Sequence, residues 1–159
     1  MSWRTYRNIE ASLYDFLTSQ ATADSLVDVH GDSVNFRVGR KNDNDWTLPT
    51  ISFYFESETR ERLEIGSNNR IDLQLIIIDI FAENEVDRLE FAKWVVDTIN
   101  NGWTYYVYTG QSSGTPTKVA SGLVNVNFLT NTRVALGENV SNFDAHRHRI
   151  SIQTWISGS

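Results

Sequence analysis

An apolar run at residues 70–81 constrains the fold of this chain more than any other stretch. Its first half alternates between apolar and polar residues, as a strand with one exposed face does. The alternation then stops, because Ile76 and Ile78 occupy the face that was polar earlier in the run. We therefore predict a strand that ends buried on both faces. A following helix can cover one face, whereas the other would need a second sheet, another helix or a neighbouring copy.

The pattern becomes helical over residues 84–100. Asn84 is a favourable N-cap, and Asp87 stands three residues later, where a capping box has Glu or Gln. Apolar residues form two stripes along this helix: Val86, Leu89, Ala92, Val96 and Ile99 in one, and Phe91, Trp94 and Val95 in the other. A helix with two stripes is expected to be buried over more than a third of its circumference. Phe91 and Trp94 belong either to the core or to a contact with another subunit.

Helix and strand patterns on both sides of this unit complete the predicted fold. Further elements are expected: a helix at residues 3–20, and strands at residues 34–38, 103–109, 118–129 and 145–156. We expect a bulge at Gly122. Residues 131–142 are compatible with either a short strand or an extended loop. Residues 48–82 predict one long β-hairpin whose charged tip projects beyond the core. We therefore predict an α+β fold in one domain, residues 1–159. Its mixed or antiparallel sheet is packed by two main helices in the order α-β-β-β-α-β-β-β.

Composition excludes several classes of function. The chain of 159 residues contains no cysteine, so it has neither a disulfide nor a thiolate-bound zinc. It has no apolar run of the ~18 residues that a membrane span needs, and no signal-peptide pattern. We expect a soluble protein with no membrane partner. The net charge of -6 argues against a groove that neutralises nucleic-acid phosphates.

The sequence assembles no pattern for catalysis or metal binding. His146 and His148 share one face of the last predicted strand, but a zinc site needs a third ligand. The polar loop at residues 40–45 lacks the central Gly and closing Glu of a calcium-binding EF-hand. No nucleophile elbow is present. We therefore predict that the protein is not an enzyme and has no catalytic residues, no metal and no cofactor.

The layout of the chain is similar to that of a known family. Four segments carry the likeness: the first helix at residues 9–17, the segment 48–53, the strand-to-helix passage 73–99, and the closing strand 149–155. Together they resemble the tail terminator, or tail completion, proteins of long-tailed bacteriophages. The resemblance spans most of the chain and is one of layout, without a short diagnostic motif.

The resemblance implies a structural virion protein that is assembled in the host cytoplasm. Such proteins form a ring, usually hexameric, that caps the tail tube protein, stops tube growth and meets the connector on the head side. Acidic residues near the lumen would let DNA pass without specific binding. The ring and tube contacts are expected at Glu58, Arg60, Glu61, Arg62 and Leu63 of the hairpin, with Ile76, Ile78, Phe91 and Trp94 of the central unit.

Two alternatives remain open at this point. The first is another ring protein of the same neck, such as a head-completion or stopper protein, or a tube subunit. The second is a monomeric α+β module that binds a small ligand, with Trp103, Tyr105 and Tyr106 lining a pocket. These alternatives differ in whether the chain associates with itself and in where it lies in a particle.

Overall fold

The helices and strands follow one another in the predicted order. A computed structural model describes residues 5–39, 47–62, 65–66, 70–110, 114, 117–133 and 147–158, without the side chains of 62, 70, 128 and 131–133. The elements are α1 (Thr5–Ala23), β1 (Asn35–Val38), β2 (Thr50–Arg62), β3 (Arg70–Phe81), α2 (Glu85–Ile99), β4 (Trp103–Thr109), β5 (Thr117–Arg133) and β6 (Arg147–Ser157). The predicted α+β class is confirmed. The polar loop 40–45, Leu63, His146 and residues 134–142 lie outside the described residues.

The described strands form one mixed sheet of six strands in the order β1-β2-β3-β6-β5-β4. β1 pairs with β2 in parallel, and every other neighbouring pair is antiparallel. β2 and β3 form the predicted hairpin, which is paired from Thr50 opposite Phe81 to Arg62 opposite Arg70. β6 then inserts beside β3, so the C-terminal strand separates the hairpin from β4 and β5.

Both helices contribute to one apolar core against the sheet. The register places Ile78 at the centre of the sheet side, between Phe53 of β2 and Ile150 of β6. The helices add these buried apolar side chains: Ile9, Leu13 and Leu17 from α1, and Phe91, Ala92, Val95 and Ile99 from α2. Burying one such large side chain fully contributes roughly 1.5–3 kcal/mol. This cluster is therefore the main source of stability.

The sequence predicts that the other face of β3 needs a second sheet, another helix or a neighbouring copy. The described strands form a single sheet, so no second sheet lies over that face within the described residues. Leu73 and Ile77 are nevertheless buried there. Beside them Arg149 of β6 lies opposite Asp79 and donates two hydrogen bonds to its carboxylate, at 2.8 and 3.0 Å. The bond to Asp79 raises the pKa of Arg149. This ion pair occupies part of the face that was predicted to be apolar.

Helix α1 joins the two ends of the sheet. Toward β4, the Ser12 hydroxyl accepts from the Tyr106 backbone N–H at 2.9 Å, and Asn8 Oδ1 accepts from that of Tyr108 at 3.4 Å. Toward β2, Glu10 Oε1 accepts from the Phe55 backbone N–H at 2.9 Å. In a flat sheet β2 and β4 would lie about 19 Å apart, whereas a helix is only about 10–12 Å wide. We conclude that the sheet curls around α1.

Glycine allows two backbone segments to pass close together. The predicted bulge is confirmed, because the register shifts between Tyr105 opposite Gly122 and Tyr106 opposite Ala120. A Cβ on Gly122 would approach the Ser157 carbonyl oxygen to 2.3 Å, which is far closer than such atoms approach in proteins. Only a residue without a side chain fits where β5 passes the end of β6.

The contact of α1 with β4 gives the first prediction. Ser12→Ala removes the acceptor of the Tyr106 N–H inside a packed contact, and an unsatisfied buried donor costs about 1–3 kcal/mol. We expect a loss of that size in the free energy of unfolding, measured by urea denaturation. Ser19→Ala is the matched control, because Ser19 is exposed on the same helix and should change that free energy by less than about 0.5 kcal/mol. Equal losses in the two variants would contradict the edge-capping role of Ser12.

Candidate assembly surface

The hairpin of β2 and β3 extends past the rest of the sheet. β6 pairs with β3 only as far as Gln74, whereas residues 59–62 of β2 remain paired with residues 70–73 of β3. We call this two-stranded extension, residues 59–62 and 70–73, the arm. It is about 13 Å long at ~3.3 Å per residue. The tip beyond it includes Ile65, whose side chain is fully exposed.

A bulge in β2 decides which residues of the arm share a face. The register passes from Phe55 opposite Ile76 to Ser57 opposite Leu75, so Glu56 is an extra residue on β2. The bulge exchanges the two faces of the strand. Before the bulge, the odd-numbered residues of β2 face the core. After the bulge, the even-numbered residues, including Arg60, lie on the core side of the sheet.

The arm carries charge, part of which is paired within the chain. Arg60 Nε lies 3.1 Å from Asp72 Oδ1, directly across the arm, and 3.5 Å from Glu58 Oε1 at the base of the arm. The Arg60 side chain is 61% exposed, so this pair contributes less than about 1 kcal/mol. The last pair of the arm places Arg62 opposite Arg70.

Three of the expected interface residues are instead part of the core. Ile76, Ile78 and Phe91 have relative exposures of 1%, 0% and 2% within a single copy. The physical reason is that both helices contribute to one core with that face of β3. The expectation that these three residues contact a neighbour is therefore wrong. The face of β3 that carries Ile76 and Ile78 is thus enclosed within one copy.

Trp94 makes its contacts within the chain. Its indole Nε1 donates a hydrogen bond of 2.9 Å to Asp24 Oδ2, in the connector after α1. Its ring centroid lies 6.4 Å from that of Phe36 in β1, in a tilted arrangement. The half-buried Trp94 therefore ties α2 to the connector and to the edge strand β1. Its expected contact with another subunit stays a prediction beside these contacts.

Helix α2 exposes part of the stripe that the sequence predicts to be buried. Its core-facing residues are Phe91, Ala92, Val95 and Ile99. Val86 and Leu89 are instead 58% and 50% exposed. They lie three positions apart and so share a face of the helix, and the exposed acids Glu83 and Glu90 stand beside them in sequence. One copy thus leaves an apolar pair flanked by carboxylates on the first two turns of α2.

The aromatic cleft considered for a small ligand carries polar contacts of its own. Trp103 and Tyr106 line a cleft of about 370 Å³, whereas Tyr105 is buried in the core. Asp15 accepts from the Tyr108 hydroxyl at 2.6 Å and from Lys118 at 3.2 Å. Burial, followed by the bond to Asp15, raises the pKa of Tyr108.

The Lys118 ammonium also lies 4.6 Å from the Tyr106 ring centroid. Lys118 of the cleft therefore contacts both a carboxylate and an aromatic ring within the chain.

His148 is the one histidine that the described part of β6 contains. His148 is buried, opposite Ile80 of β3. Within the described residues no three His, Cys, Asp or Glu side chains come close enough to hold a metal ion. Neither α1 nor α2 combines the length and the hydropathy of a membrane-spanning helix.

Comparison with known proteins adds no family assignment. A scan against protein-family models found no match, and a search of curated proteins found none either.

The two faces of α2 give the second prediction. Phe91→Ala leaves a cavity in the core and should lower the free energy of unfolding by about 3–5 kcal/mol. Leu89→Ala is the matched control on the exposed face and should lower it by less than about 0.5 kcal/mol. Urea denaturation of the two variants measures the difference. A loss for Leu89→Ala comparable to that for Phe91→Ala would show that the exposed pair is buried in solution.

Proposed function

We propose that the protein is a structural ring subunit that caps the end of a phage tail tube, as tail terminator proteins do. The observation that carries the proposal is the arm with its exposed Ile65. It extends past the last pairing of β3 with β6, beyond a body whose described buried apolar side chains form one core. A monomer gains little from such an extension, whereas a subunit needs a contact that reaches outside its own core.

The ring would act through its shape and its contacts, and no chemical step is required. A subunit whose two ends differ makes head-to-tail contacts, and these close into a ring when the rotation between copies allows it. A ring bound to the last layer of tube subunits would cover the surface on which the next layer would assemble. The net charge of -6 is compatible with a lumen through which DNA passes without being held.

Binding to tube ends tests the proposal. Purified tail tubes with free ends are incubated with the gold-labelled chain and viewed by negative-stain electron microscopy. We expect label at one end of each tube, and we expect capped tubes to resist extension by added tube subunits. Complete tails, whose ends are already closed, are the matched control and should carry no label.

Each other outcome contradicts the proposal in a different way. Label along the whole tube, or tubes formed by the chain alone, would identify a tube subunit. Label on the connector of isolated heads but not on tubes would identify a head-completion or stopper protein. Absence of label from both would show that the chain has no role in the neck.

A further inference from the structure

We infer that the open edge of β1 binds an extended segment of another protein, which pairs with β1 as an added strand. The segment places apolar side chains in a groove beside β1 and a carboxylate opposite Arg37. In strand addition of this kind, backbone hydrogen bonds supply affinity and the neighbouring side chains supply specificity. The contact does not depend on whether the chain caps a tail tube.

The backbone of β1 uses only every second residue to pair with β2. β1 stands at one end of the strand order, so β2 is its one neighbour within the described sheet. The N–H groups of Asn35 and Gly39 donate to carbonyl oxygens on the β2 side, at 3.0 and 2.8 Å. The N–H and C=O groups of Phe36 and Val38 therefore point away from β2. They lie about 6.6 Å apart along the strand, which is the spacing at which a further strand pairs.

Other strand edges of the sheet are covered by side chains of α1. On β4, at the opposite end of the sheet, two backbone N–H groups donate to Ser12 and Asn8. Where β2 continues past the end of β1, a third N–H donates to Glu10. Among the described residues, no comparable bond covers the outward groups of Phe36 and Val38. An uncovered strand edge favours pairing with another strand.

A groove of about 660 Å³ lies beside this edge, between β1 and the second half of α1. Tyr14 and Val27 line it and are 39% and 47% exposed, and Val38 on the edge itself is 46% exposed. Exposed apolar residues need no explanation one at a time. Here they adjoin unpaired backbone groups, and an added strand directs every second side chain to the face of the sheet on which the groove lies. Apolar side chains at those positions would cover the three exposed groups.

The charge of the groove favours an acidic occupant. Arg37 is the one charged residue among those that line the groove. It is exposed and forms no ion pair with another described residue. The acids Asp28 and Asp32 lie in the turn before β1, outside this lining, and Asp28 accepts backbone N–H groups of that turn. A carboxylate directly across from Arg37 on an added strand is a favourable cross-strand pair.

Two synthetic peptides test the contact. One is a blocked seven-residue peptide that alternates valine with glutamate, and the matched control has lysine in place of glutamate. The isotope-labelled chain is titrated with each peptide, and amide hydrogen exchange is followed by nuclear magnetic resonance. We expect the glutamate peptide to slow exchange at Phe36 and Val38 but not at Tyr106, and to bind at least about fivefold more tightly than the lysine peptide. Absence of protection at Phe36 and Val38, or equal binding of the two peptides, would overturn the inference.

A proline on the edge tests whether the backbone makes the contact. Val38→Pro removes an outward N–H that β1 does not use in pairing with β2. We expect it to weaken binding of the glutamate peptide at least about fivefold, because one hydrogen bond is lost. Val38→Thr keeps the N–H and is the matched control, with the affinity of the natural chain. Circular dichroism checks that both variants are folded. Equal binding by the two variants would show that no strand is added.

Charge reversal tests the role of Arg37 separately. R37E should bind the lysine peptide more tightly than the glutamate peptide, which is the reverse of the natural preference. An unchanged preference would show that Arg37 does not select the occupant.

Sedimentation of the chain without peptide tests the occupant itself. We expect the natural chain and Val38→Pro to sediment alike, because the occupant is another protein. A dimer of the natural chain that Val38→Pro abolishes would show that the edge pairs with a second copy instead, and would overturn the inference.

Discussion

The structure depends on hydrogen bonds that α1 makes to backbone groups at two edges of the sheet. Asn8 and Ser12 accept from the N–H groups of β4, and Glu10 accepts from an N–H of β2 beyond the end of β1. Strand edges otherwise present unpaired donors that invite another strand. By satisfying these donors, α1 brings both ends of the sheet around its own apolar stripe. A single layer of strands can then enclose a core with only two helices.

The sheet and the two helices around the core form the body of the protein, and the arm lies outside it. The body encloses its largest described apolar side chains within one copy, including Phe53, Ile78 and Trp103. The arm lies beyond the last pairing of β3 with β6 and is stabilised by its own ladder and by the pair of Arg60 with Asp72. The exposed Arg60 of the arm and the exposed Val86 and Leu89 of α2 thus lie outside that core.

The candidate site was predictable from the sequence only in part. The charged hairpin was correctly placed beyond the sheet, because its alternation and turn residues are local signals. The exposed apolar pair on α2, Val86 and Leu89, was missed. Val86, Leu89, Phe91 and Trp94 all lie in helical stripes, and periodicity cannot tell which stripe faces the sheet. The bulge at Glu56, which sets the faces of the arm, has no glycine or proline to reveal it.

The sequence by itself determined the elements and their order, since these follow from short-range interactions. The N-cap of α2 at Asn84, the bulge at Gly122 and the alternation of β6 each depend on a few neighbouring residues. Only the tertiary structure decided that β6 inserts beside β3, and that Ile76 and Phe91 are enclosed while Val86 and Leu89 are exposed. Those outcomes depend on which distant surfaces pack together. The free energy of such packing is shared among segments far apart in the chain, and no local pattern records it.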